Sequence, residues 1–461
     1  MHTVIISKVS ESIKMFENFI EKLAKDMKFE ARDSVKLKAI TFVYAMTIGL
    51  LEGHEITLNV LGNFCRKYQG QELEITKQAL HQRMEKGELL MNGLFNVFLN
   101  ETKDKFKVLE NIEVLKQFSD IEITDGTTVS LPDKLAGKFK GLGGTNAKAA
   151  FKMQTTYSVL KRTFSNLKIY DASTNDTVHN AEIIKELEPN KLYINDLGYF
   201  DKEYFSEIDK KNAYFLSRIK SNSTFYKYDD IKKDYEKLDW KDILKSSKNE
   251  VDTMVFMKLK SGEMKEVRLV GLRLPEDKIN EKRRKINKKQ QSSGETMKER
   301  EKLMFDWNLM ITNVSADKLD PDTLYELYRL RWVIELIFKG LKSSIDFDKV
   351  GQAGGSYLMC LLYGKMIIAL LCMDIYALCN MAMYLKNKRQ VSIQGFLRNF
   401  RSIVSYFVSV ILNCNDENLL NFYKELEHIS IISLYEIRKR KTTEQRLMEK
   451  EMPKQVLRLL C

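Results

Sequence analysis

The 461-residue sequence contains few of the residues from which thiolate metal sites, disulfide frameworks and flexible linkers are built. Its 6 cysteines and 5 histidines are scattered, and no two cysteines stand at the spacing C-x2-C. This pattern disfavours a zinc site or a disulfide framework and favours a reducing cytoplasm. With 5 prolines and 21 glycines, the chain leaves little room for disordered linkers. A chain of this length predicts about two to four domains.

The charged residues show a modest excess of positive charge. Lysine and arginine number 75 against 63 aspartates and glutamates, which gives a net charge of +12 and a pI near 9.1. Such an excess is consistent with a polyanionic partner, although many basic proteins bind none. A hydrophobic content of 44% with 30% charged residues is typical of a soluble globular protein.

Long apolar runs are also scarce. Glu11, Lys14 and Glu17 interrupt the N-terminal apolar residues, so we expect no signal peptide. The strongest apolar run, residues 357–379, contains Lys365 and Asp374 and has no second run beside it. It therefore favours a buried helix over a membrane segment.

The stretch from residue 325 to residue 342 lacks proline and has its only glycine near its end, which predicts one helix. Tyr328, Arg331, Glu335 and Lys342 stand at i, i+3, i+7 and i+14, within a sector of about 60° at 100° per residue. The neighbouring positions are apolar, so we expect a buried helix with one narrow polar seam. A carboxylate between two cations suits a phosphodiester site. A core helix with ordinary ion pairs is the alternative.

Two further acids lie at predicted strands. Ile121 and Ile123 alternate with polar residues ahead of Asp125, which predicts a strand with the aspartate on the isoleucine side. An acid on a buried strand face is costly unless it binds a metal or a partner. Residues 191–195 predict another strand, which ends on Asp196. Taken singly, either aspartate could instead serve as a helix cap or a turn residue.

Together these motifs resemble a known family. The spacing Y-x2-R-x3-E-x6-K around Glu335, the segment DGTTVSLP from Asp125 and the segment DLGY from Asp196 are similar to motifs of the insertion-sequence-four family. Its members are DDE transposases that move bacterial insertion sequences by cut and paste. The resemblance spans roughly residues 120–342 and implies an α/β fold with an RNase H-like mixed sheet. It also implies that Asp125, Asp196 and Glu335 are catalytic and bind two Mg²⁺ or Mn²⁺ ions.

The resemblance further implies DNA contacts around this site. We expect phosphate contacts from Tyr328, Arg331, Lys342 and Arg218. If the second strand is cut through a DNA hairpin, a flipped base would stack on Trp307 or Trp332. Core packing is an equally good explanation of either tryptophan.

Two basic segments outside the predicted core are also candidates for DNA contact. Residues 278–289 hold seven basic residues against one acid, which favours phosphate contact over a merely solvated helix face. The candidate residues there are Lys282, Arg283, Arg284 and Lys285. Thr57 and Thr76 look like N-caps of two successive helices, which suggests a helix-turn-helix or an ordinary helical bundle. If the segment is a helix-turn-helix, its candidate DNA contacts are Lys77, Gln78 and Arg83.

These patterns divide the chain into five predicted segments. They are a helical N-terminal DNA-binding domain (1–118), the first part of the core (119–220), a β-rich insertion with a basic helix (221–306), the second part of the core with the glutamate helix (307–352) and a helical C-terminal region (353–461). In the insertion, residues 253–260 and 265–272 predict a hairpin around Ser261 and Gly262.

The resemblance thus implies a transposase that binds terminal inverted repeats, cleaves DNA by metal-dependent hydrolysis and transesterification, and joins the element to target DNA. The expected partners are double-stranded DNA of the transposon ends and the target, and a second copy in a homodimeric synaptic complex. We expect no membrane partner and a location at the nucleoid in the bacterial cytoplasm. The alternatives are a catalytically silent DNA-binding relative that acts as a repressor, and an RNase H-like nuclease or resolvase.

Overall fold

The computed structural model describes residues 2–30, 36–52, 57–70, 72–103, 112–143, 147–293, 299–351, 353–387, 389–434 and 442–451. Its helices are α1 (His2–Asp26), α2 (Ala39–Met46), α3 (Ile48–Glu52), α4 (Leu58–Gln69), α5 (Lys77–Lys103), α6 (Glu113–Lys116), α7 (Thr177–Lys185), α8 (Lys202–Lys210), α9 (Trp240–Ser246), α10 (Glu276–Ser293), α11 (Glu299–Phe305), α12 (Pro321–Arg329), α13 (Trp332–Ile345), α14 (Gly355–Asn387), α15 (Ile393–Phe400), α16 (Val404–Leu412), α17 (Asp416–Ile432) and α18 (Thr443–Glu451).

The strands are β1 (Ile121–Leu131), β2 (Ala149–Ser158), β3 (Thr163–Asp171), β4 (Leu192–Asn195), β5 (Tyr214–Arg218), β6 (Tyr226–Asp229), β7 (Asp234–Lys237), β8 (Glu250–Lys258), β9 (Met264–Arg273) and β10 (Trp307–Thr312). Helices and a large mixed sheet therefore make this an α/β protein, as the sequence predicts.

The chain forms two compact units, each assembled from several segments. The first contains Met1–Leu109, Gly126–Thr174 and Val333–Arg440, and the second contains Glu110–Asp125, Asn175–Trp332 and Lys441–Cys461. Strand β1 runs through the boundary, since its residues up to Asp125 belong to the second unit and those from Gly126 to the first. The five segments predicted above stay a prediction.

The first unit is mainly helical. Helix α5 packs against α14, α1 and β3, so it belongs to the interior of this unit. The predicted N-caps are confirmed, because Thr57 Oγ1 accepts a hydrogen bond from Val60 N at 3.3 Å and Thr76 Oγ1 accepts one from Ala79 N at 3.2 Å. Its strands follow the order β3-β2-β1, with β2 and β3 antiparallel.

Helix α14 is the apolar helix of the first unit. Among the described residues it alone is long and apolar enough to cross a membrane, and 89% of its most apolar window is buried inside the protein. Lys365, within this helix, is buried and donates a hydrogen bond to the carbonyl oxygen of Asp346. The predicted burial of residues 357–379 is therefore confirmed.

The second unit is built on a sheet with the strand order β1-β4-β5-β10-β9-β8-β6-β7. Strands β1, β4 and β5 are parallel, and the strands from β10 onward are antiparallel to their neighbours. The predicted hairpin is confirmed as β8 and β9, with Gly262 at a φ of +90° in the turn. Strand β9 pairs with β10, and the buried residues of β8 and β9 share one hydrophobic core with Tyr193 and Phe215 of β4 and β5.

The helix predicted for residues 325–342 is interrupted, and the prediction of one continuous helix is wrong. Helix α12 ends at Arg329 and α13 begins at Trp332. Between them Leu330 N bonds to Leu327 O at 3.0 Å and Arg331 N to Tyr328 O at 3.1 Å. These shorter i to i−3 bonds tighten the end of α12 and turn the chain. Tyr328 therefore lies in α12, Glu335 and Lys342 lie in α13, and Arg331 lies between the two helices.

Candidate active site

The register of β1 and β4 places two aspartates side by side. Thr124 of β1 pairs with Asn195 of β4 in a parallel arrangement. Asp125 follows Thr124 directly, and Asp196 follows Asn195. Asp196 follows the last residue of β4 at the head of a short 3-10 turn. Asp125, however, lies in the middle of the 11-residue strand β1 rather than at its end.

Arg331 joins the two aspartates. Its Nη1 lies 3.3 Å from Asp125 Oδ2, and its Nε lies 3.5 Å from Asp196 Oδ1. The side chains of Arg331 and Asp125 are each 17% exposed and that of Asp196 is 40% exposed. Two carboxylates on neighbouring strands therefore converge on a single guanidinium, which offsets their mutual repulsion.

A third acid, Asp176, and a buried tyrosine, Tyr199, lie next to this pair, and neither is among the site residues predicted from the sequence. A Cβ at Gly198 would collide with Oδ2 of Asp176, so the glycine allows the carboxylate of Asp176 to lie close to the backbone at this position. Burial raises the pKa of Tyr199, and the carboxylates of Asp176, Asp125 and Asp196 raise it further. The phenol thus lies among all three acids. The tyrosine of the segment DLGY was the available signal for Tyr199, and Asp176 had none in the sequence.

Tyr328 and Arg218 lie on the side of Arg331 that faces a cavity. Burial raises the pKa of Tyr328 to about 12 and Asp196 adds to the rise, while Arg331 and Arg218 oppose it. The cavity has a volume of about 400 Å³, and its walls include Arg218, Tyr328, Arg331 and Trp332. Trp332 is 58% exposed. The structure therefore brings four of the predicted DNA contacts together at one cavity of the second unit.

A second cavity, of about 300 Å³, is lined by Arg218, Lys282, Phe305 and Trp307 among others. Trp307 is only 6% exposed and belongs to the hydrophobic core, as the core-packing alternative expects. Lys282 Nζ lies 5.3 Å from the centre of the Phe305 ring. Burial lowers the pKa of Lys282, and the nearby charge of Arg218 lowers it further.

The other basic side chains of helix α10 differ in their surroundings. Arg283 is engaged by Asp306, whose carboxylate oxygens lie 2.9 and 3.1 Å from its Nη2. Arg284 is exposed, and the side chain of Lys285 lies outside the described part of the structure. Phosphate contact by this helix stays a prediction.

The predicted helix-turn-helix corresponds to α4 and α5. Lys77 and Gln78 are exposed on the first turn of α5. Arg83 instead donates a hydrogen bond to the carbonyl oxygen of Phe29 at 2.8 Å and stacks over the Phe29 ring. This arginine is already engaged within the first unit, so it is a weaker candidate for DNA contact than its neighbours.

Glu335 and Lys342 belong to α13 in the first unit. Lys342 Nζ donates a hydrogen bond to the carbonyl oxygen of Thr128 in β1 at 2.9 Å. Burial lowers the pKa of Lys342, and Asp348 opposes that shift. Glu335 is half-buried in the first turn of the helix. Across the described ranges, no group of three or more His, Cys, Asp or Glu side chains is arranged to hold a metal ion.

Comparison with known proteins gives consistent matches. The family described as "Transposase DDE domain" matches residues 116–371, a range that contains both aspartates, Arg331 and Glu335. The transposase for insertion sequence element IS1151 of Clostridium perfringens is 30% identical over 87% of this chain and 86% of its own length. The transposase for insertion sequence element IS231F of Bacillus thuringiensis subsp. israelensis is 28% identical over 81% of this chain and 80% of its own length.

A solved structure also aligns along most of the chain. It is the piggyBac transposase synaptic complex with hairpin DNA, which is 10% identical over 96% of this chain and 89% of its own. The TM-score of 0.43 is too low to establish a shared fold.

Proposed function

Because this chain belongs to the family of transposases with a DDE domain, we propose that Asp125, Asp196 and Glu335 are its three catalytic acids. The protein is an insertion-sequence transposase, an enzyme that acts on DNA. The observation that carries the assignment is the convergence of Asp125 and Asp196, from neighbouring parallel strands, on Arg331. Glu335 follows that arginine by four residues, at the start of α13.

DDE transposases generally use divalent metal ions, and the acids of this chain fit such ions. Asp125 and Asp196 offer hard carboxylate oxygens, which Mg²⁺ and Mn²⁺ prefer to sulfur or imidazole ligands. The contact of both aspartates with one guanidinium supports a site where positive charge is favoured. Asp125 and Asp196 would hold the metal, with Glu335 completing the ligand set for two ions. When bound, such ions activate the attacking oxygen and stabilise the leaving oxygen of a phosphodiester.

The cations around the acids would hold the DNA backbone. Arg331 and Arg218 line one cavity, and the buried Tyr328 forms part of its wall. In this proposal all three bind phosphates beside the scissile bond. Lys342 would approach the same strand of DNA from α13. If a DNA hairpin forms, Trp332 is the better candidate for stacking a flipped base, since Trp307 is buried in the core.

The catalytic core proposed for this chain is RNase H-like. The element order β1, β2, β3, α7, β4, α8, β5 supports it, as does the parallel pairing of β1, β4 and β5. In this proposal β6 to β9 form an insertion that extends the sheet beyond β10. The enzyme would bind double-stranded DNA of transposon ends and target as a homodimeric synaptic complex in the bacterial cytoplasm.

A cleavage assay tests the three acids. Purified protein is incubated with Mg²⁺ or Mn²⁺ and duplex DNA bearing the inverted repeats that flank its own reading frame. We expect Asp125→Asn, Asp196→Asn and Glu335→Gln each to reduce cleavage at least about a hundredfold, because several kcal/mol of transition-state stabilisation is lost. Asp322→Asn, which changes an exposed acid on the first turn of α12, is the matched control.

The outcomes separate the proposed function from its alternatives. Acid variants that cleave as fast as the parent would show that the site is wrongly assigned. Tight binding of the repeats without nicking under any metal condition would favour a repressor. Cleavage of RNA–DNA hybrids or branched junctions in preference to the repeats would favour a nuclease or resolvase.

A further inference from the structure

We propose that Arg331 is an exchangeable cation, which neutralises Asp125 and Asp196 until a divalent ion takes its place and its guanidinium turns to a DNA phosphate. The proposal rests on the assignment of the two aspartates as metal ligands. It adds that metal binding and DNA binding are coupled through one side chain of this chain.

The contacts of Arg331 support competition for the same two carboxylates. The guanidinium places Nη1 near Asp125 and Nε near Asp196, so it bridges the two acids. Its separations of 3.3 and 3.5 Å exceed the roughly 2.7–2.9 Å of a strong charged hydrogen bond. The bridge is therefore loose in geometry, although it compensates two negative charges.

The position of Arg331 in the chain favours movement of its side chain. It lies in the break between α12 and α13, where its backbone N–H bonds to Tyr328 O instead of joining a regular helix. In this proposal the guanidinium turns while α12 and α13 keep their backbone hydrogen bonds.

A destination for the released guanidinium is already present. Arg331 is itself part of the wall of the cavity of about 400 Å³, which Arg218 and Tyr328 also line. Two guanidiniums at one cavity suit a phosphate, which accepts paired N–H donors. Arg331 cannot bridge both acids and bind this phosphate at once, so each ligand assists the other by removing a competing contact.

Mn²⁺ binding to the full chain provides the test, measured by calorimetry and by the electron paramagnetic resonance of the ion. We expect Arg331→Gln to bind Mn²⁺ about five- to hundredfold more tightly than the parent, because the competing guanidinium is gone. Arg218→Gln, which removes a cation from the same cavity, is the control for the general field of positive charge. It should change Mn²⁺ affinity much less.

Coupling to DNA is the second readout. A pre-cleaved duplex bearing one terminal repeat should tighten Mn²⁺ binding in the parent, by a factor of about five or more. The same duplex should tighten Mn²⁺ binding by a smaller factor in Arg331→Gln, because the phosphate still attracts the ion but no guanidinium is released. Arg331→Lys keeps the charge but cannot bridge both acids, so it should give intermediate values. If Arg331→Gln does not fold, Arg331→Lys takes its place in both Mn²⁺ measurements.

The results separate this proposal from the proposed function. If Asp125→Asn and Asp196→Asn bind Mn²⁺ as well as the parent, the metal site itself is refuted. If those variants lose Mn²⁺ binding while Arg331→Gln gains none, the exchange is refuted and the site stands. An equal gain in Mn²⁺ affinity in Arg331→Gln and Arg218→Gln would also overturn the exchange. So would an equal effect of DNA on Mn²⁺ affinity in the parent and in Arg331→Gln.

Discussion

Replacing Lys191 by methionine should strongly destabilise the second unit. Lys191 Nζ lies 3.1 Å from Glu122 Oε1, and the two side chains are only 9% and 8% exposed. A second contact, 2.6 Å to Glu188 Oε1, involves a carboxylate that is 63% exposed. Glu122 lies on β1 and Lys191 immediately before β4, so the pair supports the strands that carry the two aspartates.

The magnitude follows from burial. Removing one partner of a buried ion pair costs about 3–5 kcal/mol, because the remaining charge is left without compensation. The exposed contact to Glu188 adds at most about 1 kcal/mol. We therefore expect Lys191→Met to lower the free energy of unfolding by about 3 kcal/mol or more, a large share of the roughly 5–15 kcal/mol of a typical domain.

The pH dependence has a definite sign. Burial opposes the charged form of Lys191, but Glu122 and Glu188 outweigh it and the pKa of Lys191 is raised. When folding raises the pKa of a base, the charged base stabilises the folded protein. This stabilisation is complete below the pKa of the group in the unfolded chain, and it is lost as the pH rises through the pKa in the folded protein. The difference in the free energy of unfolding between the parent and Lys191→Met should stay constant from about pH 6 to 9. It should become smaller above about pH 10.4, the pKa of a lysine in the unfolded chain.

Urea unfolding followed by circular dichroism measures the effect. Lys185→Met is the control, since Lys185 forms a pair of 2.8 Å with Glu182 but its side chain is 67% exposed. That variant should lose less than about 1 kcal/mol. The double variant Lys191→Met with Glu122→Gln should recover much of the loss by removing the uncompensated carboxylate. If Lys191→Met costs no more than Lys185→Met, the reasoning from burial is refuted.

Two further substitutions probe the surroundings of the site. Gly198→Ala should destabilise by about 1–3 kcal/mol and reduce cleavage, because its Cβ displaces the carboxylate of Asp176. Adding Asp176→Ala should relieve that cost, and simple additivity of the two losses in urea unfolding would contradict the proposed collision. Arg268→Lys should cost about 3 kcal/mol in urea unfolding, since Arg268 is 2% exposed, binds both oxygens of Asp252 at 2.7 Å and donates to two backbone carbonyls. Arg273→Lys, on an exposed pair, should cost under about 1 kcal/mol, and an equal cost for both arginines would exclude the special role of Arg268.

Local signals in the sequence predicted much of the fold. The hydroxyls of Thr57 and Thr76 identify helix starts because the required bond lies within three residues. The turn at Gly262 identifies the β8–β9 hairpin for a similar reason. The aspartates at positions 125 and 196 were selected from strand patterns together with the family resemblance, and the register of β1 and β4 places them side by side.

The features that the sequence did not reveal depend on contacts between distant residues. No glycine or proline marks the break before Trp332, and helix propensity favours continuing through it. The contact of Arg331 with two aspartates more than a hundred residues away accompanies that break and has no local signature. The approach of Asp176 to Gly198 is likewise invisible until α7 and the turn after β4 are placed.

The pairing of Thr124 with Asn195 limits where the length of this chain can change over evolutionary time. Side chains alternate between faces along a strand, so deleting one residue within 121–125 or 192–196 would send one aspartate to the opposite face of the sheet. Loops outside these two strand segments carry no such constraint. We therefore expect natural relatives to differ in loop length freely, while both strand segments keep their residue count.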